Sequence, residues 1–228
     1  MTNFQKGQEV ELEITDVAFG GFGVGRADNM VVFVPYTITG ERVRAAIARR
    51  RKRCYFAEPV EILEKSPHRV EPFCPSYGTC GGCQYQHIDY DHQLAVKHKQ
   101  LTDIVTRIGG LENVPILPLL PSPRTTRYRN RIDLHPFDGD SYGFCVRGRP
   151  REKFLLRDCP LFELAQDFSH FPLRKPEHLL VIRTHDGRPY CYFKDDHNNV
   201  CSPPYDLETR EEMDDHDIHF AVDGHEFL

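Results

Sequence analysis

The chain has 228 residues, 39% of them apolar and 28% charged, with 15 Phe, 10 Tyr and no Trp. Such a composition can fill packed cores, which excludes collagen-like, coiled-coil and mainly disordered classes, and no apolar run approaches the roughly 18–20 residues that cross a bilayer. The net charge of −5 is uneven: residues 1–175 carry 25 basic against 21 acidic side chains, and residues 176–228 carry 4 against 13. The polar start Met1–Lys6 has no secretory character, so a cytoplasmic location without membrane partners is expected. In that reducing setting eight cysteines read as metal or cluster ligands rather than as a disulfide framework.

Residues 7–62 read as short strands. Val10–Ile14 alternates apolar and polar, Gly20–Gly25 reads as a turn and bulge, and Met30–Pro35 ends at a proline that cannot donate to a ladder. Gly40–Ala48 runs into the basic stretch Arg49–Arg53, and Cys54–Ile62 closes the set. Short strands at this density suggest a small OB-type barrel, with an SH3-like barrel as the alternative. No helix pattern follows the glycine run, which argues against a phosphate-cradling loop. Arg50, Arg51, Lys52 and Arg53, followed by Tyr55 and Phe56, suit nucleic acid: cations for phosphates, rings for bases.

The strongest motif is Cys74-x5-Cys80-x2-Cys83, in which Gly78, Gly81 and Gly82 allow the sharp turns that bring thiolates together. Cys159, followed by Pro160, is the candidate fourth ligand. Three close cysteines and one remote partner favour a [4Fe–4S] cluster over zinc, whose cysteines usually come in two short pairs. Cys54, Cys145, Cys191 and Cys201 lack such company and read as small buried side chains.

Residues 90–109 predict a helix with the apolar stripe Leu94/Leu101/Ile104/Val105/Ile108, ended by Gly109-Gly110. Pro115–Pro123 must be extended. Strands are expected at Arg131–Leu134, Tyr142–Phe144 and Leu179–Arg183, the last pairing with Pro189–Lys194 as a hairpin. The acidic stretch Glu208–Asp217 reads as a solvated loop and Cys201–Tyr205 as a turn. Arg124, Arg127, Arg129 and Arg131 surround Tyr128, and Arg147, Arg149, Arg151 and Lys153 form a second group. Arginine clamps phosphate and stacks on bases, but pairing with Asp133, Asp138, Asp140 or Glu152 would leave little for a ligand.

The order of these motifs is a barrel, Ser66–Cys74, Cys80–Gln86, Lys97/Lys99/Gln100 on a helix, Tyr128-Arg129-Asn130-Arg131 and Asp158-Cys159-Pro160-Leu161. It resembles, over residues 5–185, the S-adenosylmethionine-dependent RNA uracil-C5 methyltransferases, in particular the 23S rRNA branch with a TRAM domain and an iron–sulfur cluster. The resemblance implies a β-rich α+β chain: a TRAM/OB-like RNA-binding barrel over 1–62 and a cysteine-rich central domain over 63–228. It implies a [4Fe–4S] cluster on Cys74, Cys80, Cys83 and Cys159. It places the catalytic cysteine, the base and the methyl-donor site in a Rossmann-like C-terminal domain that this stretch is expected to lack. On that view helix 90–109 packs on that domain, and the chain alone binds RNA, rRNA before tRNA, without catalysis or its own S-adenosylmethionine. A stand-alone RNA-binding iron–sulfur or zinc protein is the second reading, and a ferredoxin-like electron carrier the weakest.

Overall fold

Leu12 and Ile14 point into the core from the first strand while Glu11 and Glu13 face water, the alternation of a half-buried strand. The computed structural model describes residues 3–137, 141–155, 157–163, 179–185, 188–195, 205–206, 220–222 and 225–227. It divides into two compact units, residues 1–78 with 82–122, and 79–81 with 123–228.

In the first unit β1 (Glu9–Ala18), β2 (Phe22–Ala27), β3 (Met30–Pro35), β4 (Arg42–Arg51) and β5 (Cys54–Glu64) close a barrel in the order β1-β2-β3-β5-β4. All pairings are antiparallel except β3 with β5. This five-stranded order is that of an OB barrel, which rejects the SH3-like alternative. The glycines do more than turn the chain. Gly20 and Gly21 form the turn at positive φ, but Gly23 and Gly25 lie within β2. A Cβ on Gly23 would sit 2.0 Å from Thr37 Oγ1, and one on Gly25 2.3 Å from the Glu13 carbonyl oxygen. The anticipated bulge lies in the partner strand, between Ile14 and Asp16. It shifts the alternation so that Val17 turns inward.

A buried ion pair ties the barrel to the segment after β5. Glu41 is 0% exposed, and its carboxylate accepts from the Ile38 amide (2.9 Å), the Ser66 amide (3.3 Å) and Arg69 Nε and Nη2 (2.5 and 2.7 Å). Arg69 also donates to the Tyr36 carbonyl at 2.8 Å. Helix α1 (Tyr90–Asp103) starts where the Asp89 side chain accepts from the His92 amide, and its last part widens into a π-helical turn, Ile104–Ile108. The helix is not seated by the anticipated stripe. Val96 and Gln100 are its buried residues, whereas Leu101 and Ile108 are 38% and 81% exposed. Gln100 Nε2 donates to the carbonyls of Val17 and Ala18 (3.0 and 2.9 Å), and Lys99 pairs with Asp16 at 2.7 Å. The helix therefore belongs to the barrel's unit, while the sequence places it in the second domain. Among the described residues no helix is long and apolar enough to cross a membrane.

In the second unit β6 (Arg131–Pro136), β7 (Tyr142–Val146), β8 (Arg149–Leu155), β9 (Leu179–His185), β10 (Arg188–Lys194) and β11 (Tyr205–Asp206) form an antiparallel sheet, ordered β11-β10-β9-β6-β7-β8. The β9–β10 hairpin pairs as anticipated, Pro189 opposite Thr184 and Lys194 opposite Leu179. Ile132, Leu134, Tyr142, Phe162, Cys191 and Phe193 make the core, with Phe144 and Cys159 packed against it. A short ladder, β12 (Phe220–Val222) with β13 (His225–Phe227), completes the described strands. Cys201 and Glu208–Asp217 lie outside the described residues.

Removing one partner from a buried ion pair strands the other charge in the core. Arg69→Met is expected to cost about 3 kcal/mol or more, and the Glu41→Gln/Arg69→Met double variant less than that single change. Urea unfolding of the three proteins checks the order.

Candidate nucleic-acid interface and cysteine loop

The basic stretch occupies the end of β4 and the tight β4–β5 turn, where Lys52 adopts positive φ. Arg51, Lys52 and Arg53 are exposed, and among the described residues none of them, nor Arg49, has a carboxylate at ion-pair distance. Arg50 folds back instead: Nη1 donates to Asn3 Oδ1 at 3.0 Å, and the guanidinium lies 5.7 Å from the Tyr55 ring centroid. Tyr55 corrects the sequence reading. It is a core residue at 1% exposure, edge-on to Phe4 at 5.2 Å with its hydroxyl 3.0 Å from Asn3 Oδ1, so it has no face for a base. Phe56, one residue on, has the opposite parity and faces outward.

The cysteine loop is built on a buried polar cluster that the sequence does not signal. Tyr77 Oη lies 3.0 Å from the Gln84 carbonyl and 2.6 Å from His87 Nδ1, and its ring meets Tyr36 edge-on at 5.0 Å. The Cys74 amide donates to Gln86 Oε1 at 3.2 Å. Burial, followed by the Arg69 charge, lowers the His87 pKa to about 4. Burial also raises that of Tyr77. A neutral imidazole and a neutral phenol thus hold the loop that carries Cys74 and Cys83. Cys80 pairs across an isolated bridge with Val146, and the Gly81 amide donates to the Cys145 carbonyl at 3.4 Å. Cys74, Cys80, Cys83 and Cys159 are all half-buried. Among the described residues no three His, Cys, Asp or Glu side chains are grouped to hold a metal ion. Of the remaining described cysteines only Cys191 is fully buried, and burial pushes its thiol up to about 12; Cys54 and Cys145 are half-buried.

The first arginine group separates into different tasks. Arg127, at φ 51°, forks onto Asp158 (2.8 and 2.5 Å) and donates to the Cys159 and Phe162 carbonyls (3.1 and 3.2 Å). That engagement holds the segment carrying Cys159 and replaces the phosphate contact its neighbourhood suggests. Arg131 forks onto Asp133, both contacts at 2.7 Å, the local pairing anticipated as the bland outcome. Arg124 and Arg129 are exposed. The Arg129 main chain pairs with Leu161 and Glu163 at 2.7 and 2.8 Å. A cleft of about 570 Å³ runs along Tyr128–Asp133 and Phe144. In the second group Arg149 pairs with Glu152 at 2.6 Å, and Lys153 donates to the Pro150 carbonyl.

Residues 10–68 match the family model of the TRAM domain of tRNA (uracil(54)-C(5))-methyltransferase. Over 141 residues the chain is 42% identical to an uncharacterized RNA methyltransferase of Bdellovibrio bacteriovorus, covering 62% of this chain and 36% of that protein. An uncharacterized RNA methyltransferase of Porphyromonas gingivalis is 38% identical over 212 residues, 76% of this chain and 46% of that one. The chain thus spans less than half the length of these relatives. The crystal structure of Pyrococcus abyssi tRNA (uracil-54, C5)-methyltransferase with S-adenosyl-L-homocysteine shares the fold at a TM-score of 0.52 and 23% identity, covering 83% of this chain and 47% of that one.

The depressed His87 pKa has a sign. Between about 4 and the ordinary 6.5 the unfolded chain takes up a proton at this residue that the folded chain refuses, so stability is full above 6.5 and falls as pH drops through that window. His87→Gln is expected to flatten this part of the profile, measured as the urea midpoint at pH 7, 6 and 5.

Proposed function

We propose that this chain, a relative of the RNA methyltransferases that carries their TRAM barrel, is the RNA-recognition and cluster-bearing part of a cytoplasmic enzyme that methylates C5 of uracil in RNA. The carrying observation is an OB-ordered barrel, within the TRAM match, whose β4–β5 turn presents cations with no carboxylate partner among the described residues. Arg51, Lys52 and Arg53 draw the phosphate chain by charge, and the Tyr128–Arg131 cleft offers an exposed ring and guanidinium to an unpaired segment. S-adenosylmethionine supplies the methyl group in the whole protein, through sequence that the relatives carry beyond the aligned stretch. That catalytic domain is the proposed cover for the apolar end of α1, where Leu101 and Ile108 are exposed.

Cys74, Cys80, Cys83 and Cys159 are the proposed ligands of a [4Fe–4S] cluster, supported by their spacing and their half-buried positions. When bound, the cluster fastens the segments that carry the RNA contacts. Ribosomal RNA is the proposed substrate. Transfer RNA is a second reading, favoured by the match of residues 10–68 to the TRAM domain of tRNA (uracil(54)-C(5))-methyltransferase.

Two measurements test this reading. Anaerobically purified protein is expected to contain iron and acid-labile sulfide, both lost in Cys80→Ala and Cys159→Ala; stoichiometric zinc without sulfide would overturn the cluster. Replacing Arg51, Lys52 and Arg53 together by Gln is expected to reduce the slope of log affinity against log salt by about 2 for single-stranded RNA. An unchanged slope would remove the turn from the interface, and competition between rRNA and tRNA fragments ranks the two substrates.

A further inference from the structure

The main chain at Cys159 is fixed by a turn and by the segment that runs beside it. Pro160 sets φ at the second position of this turn, which closes where the Phe162 amide donates to the Cys159 carbonyl at 2.9 Å. Phe162, at 0% exposure, anchors the turn in the core of the second unit. Residues 127–129 lie alongside. The Arg127 amide donates to the Pro160 carbonyl at 2.9 Å, the Arg129 amide to the Leu161 carbonyl at 2.7 Å, and Arg129 bridges Phe162 in parallel. Arg127 then turns its side chain back over the same segment. Its Nη1 reaches Asp158 Oδ1 and the Cys159 and Phe162 carbonyls, while Nη2 donates to Asp158 Oδ2. It does so from φ 51°, a left-handed conformation that a β-carbon disfavours.

Backbone strain at Arg127 and a guanidinium spread over several acceptors need a reason that stability does not supply. The Arg127 and Asp158 side chains are 33% and 39% exposed, and an ion pair so placed contributes little to folding. Their position gives the reason. Asp158 immediately precedes Cys159, and the Arg127 guanidinium bonds to the Cys159 carbonyl. The Cys159 side chain is near enough to raise the Arg127 pKa, after the larger effect of the Asp158 hydrogen bond. Hydrogen bonds and charges around the ligand sulfurs set the potential of an iron–sulfur centre. A cation beside them stabilises the reduced form, which carries one more negative charge, and a carboxylate stabilises the oxidised form. We propose that Arg127 is a positioning residue for Cys159 and, opposed by Asp158, sets the reduction potential of the [4Fe–4S] cluster that Cys159 helps to hold. This role rests on the proposed cluster and gives it an electrostatic partner beyond the four sulfurs.

A redox titration of anaerobically purified protein, poised with dithionite and mediators and read by electron paramagnetic resonance, tests this role. Arg127→Gln is expected to shift the reduction equilibrium about tenfold toward the oxidised form, or about 59 mV for one electron. Asp158→Asn should shift it by a similar factor the other way, and the double variant should return close to the unaltered protein. Arg127→Lys keeps the charge and loses the fork, so it should keep the potential but release iron to a chelator several-fold faster. A purely structural role would loosen the segment alike in Arg127→Gln and Asp158→Asn. Shifts of one sign, or none, would therefore overturn the proposal, while iron and acid-labile sulfide in the unaltered protein keep the cluster reading in place. If Arg127→Gln assembles no cluster, Asp158→Asn and Arg127→Lys still decide. Unaltered protein without sulfide would overturn both.

Discussion

One buried carboxylate organises the first unit. Glu41 sits between β3 and β4 with no solvent contact, and four donors converge on it from Ile38, Ser66 and Arg69. A charge in that position is tolerable only because the guanidinium fork and two main-chain amides replace its hydration. The same fork reaches the Tyr36 carbonyl, so the loop after β3 and the segment after β5 are held as one piece. The chain then continues by a bridge between Arg69 and Ile88, and by the contact of the His68 ring with the Asp89 carboxylate, into the cap of α1. The cysteine loop starts from this fixed base, with Tyr77 and His87 as its inner support.

The functional surfaces arise from how charge and parity are distributed on a small barrel. Every strand of a closed barrel has an inner face that must be apolar and an outer face that is free to vary. On β1 and β4 the outer face carries acid opposite base, a pattern that adds solubility and little attraction for a polyanion. On β2, β3 and β5 it carries rings, and the basic turn beside them has no local acid among the described residues. The acidic C-terminal quarter of the chain leaves the net charge negative, yet attraction for RNA depends on the local field at that turn.

Much of the strand pattern is legible in the sequence because alternation and glycine are strong local signals: β1 and β3 of the barrel and the β9–β10 hairpin of the second unit lie where the sequence puts them. The failures share a cause. The apolar stripe marks the helix, but its anchor is the amide of Gln100, a polar contact that no hydrophobic pattern encodes. Tyr55 and Phe56 look equivalent in sequence, yet adjacent strand residues face opposite sides, and only register with Phe33 decides which ring is outside. Arg127 looks like its arginine neighbours until its positive φ turns it onto Asp158. Pairings across a distance in sequence, such as Glu41 with Arg69, have no signature in either partner alone.

The strand order also has a consequence for biosynthesis. Because β5 inserts between β3 and β4, the four preceding strands emerge from the ribosome with two raw edges and cannot close on themselves. A nascent chain from which β1–β4 but not β5 have emerged would offer those edges to any other strand nearby, the usual route to misassembly. Closure and the seating of Arg69 come within a few residues of each other, so the vulnerable interval ends abruptly once this stretch has left the ribosome.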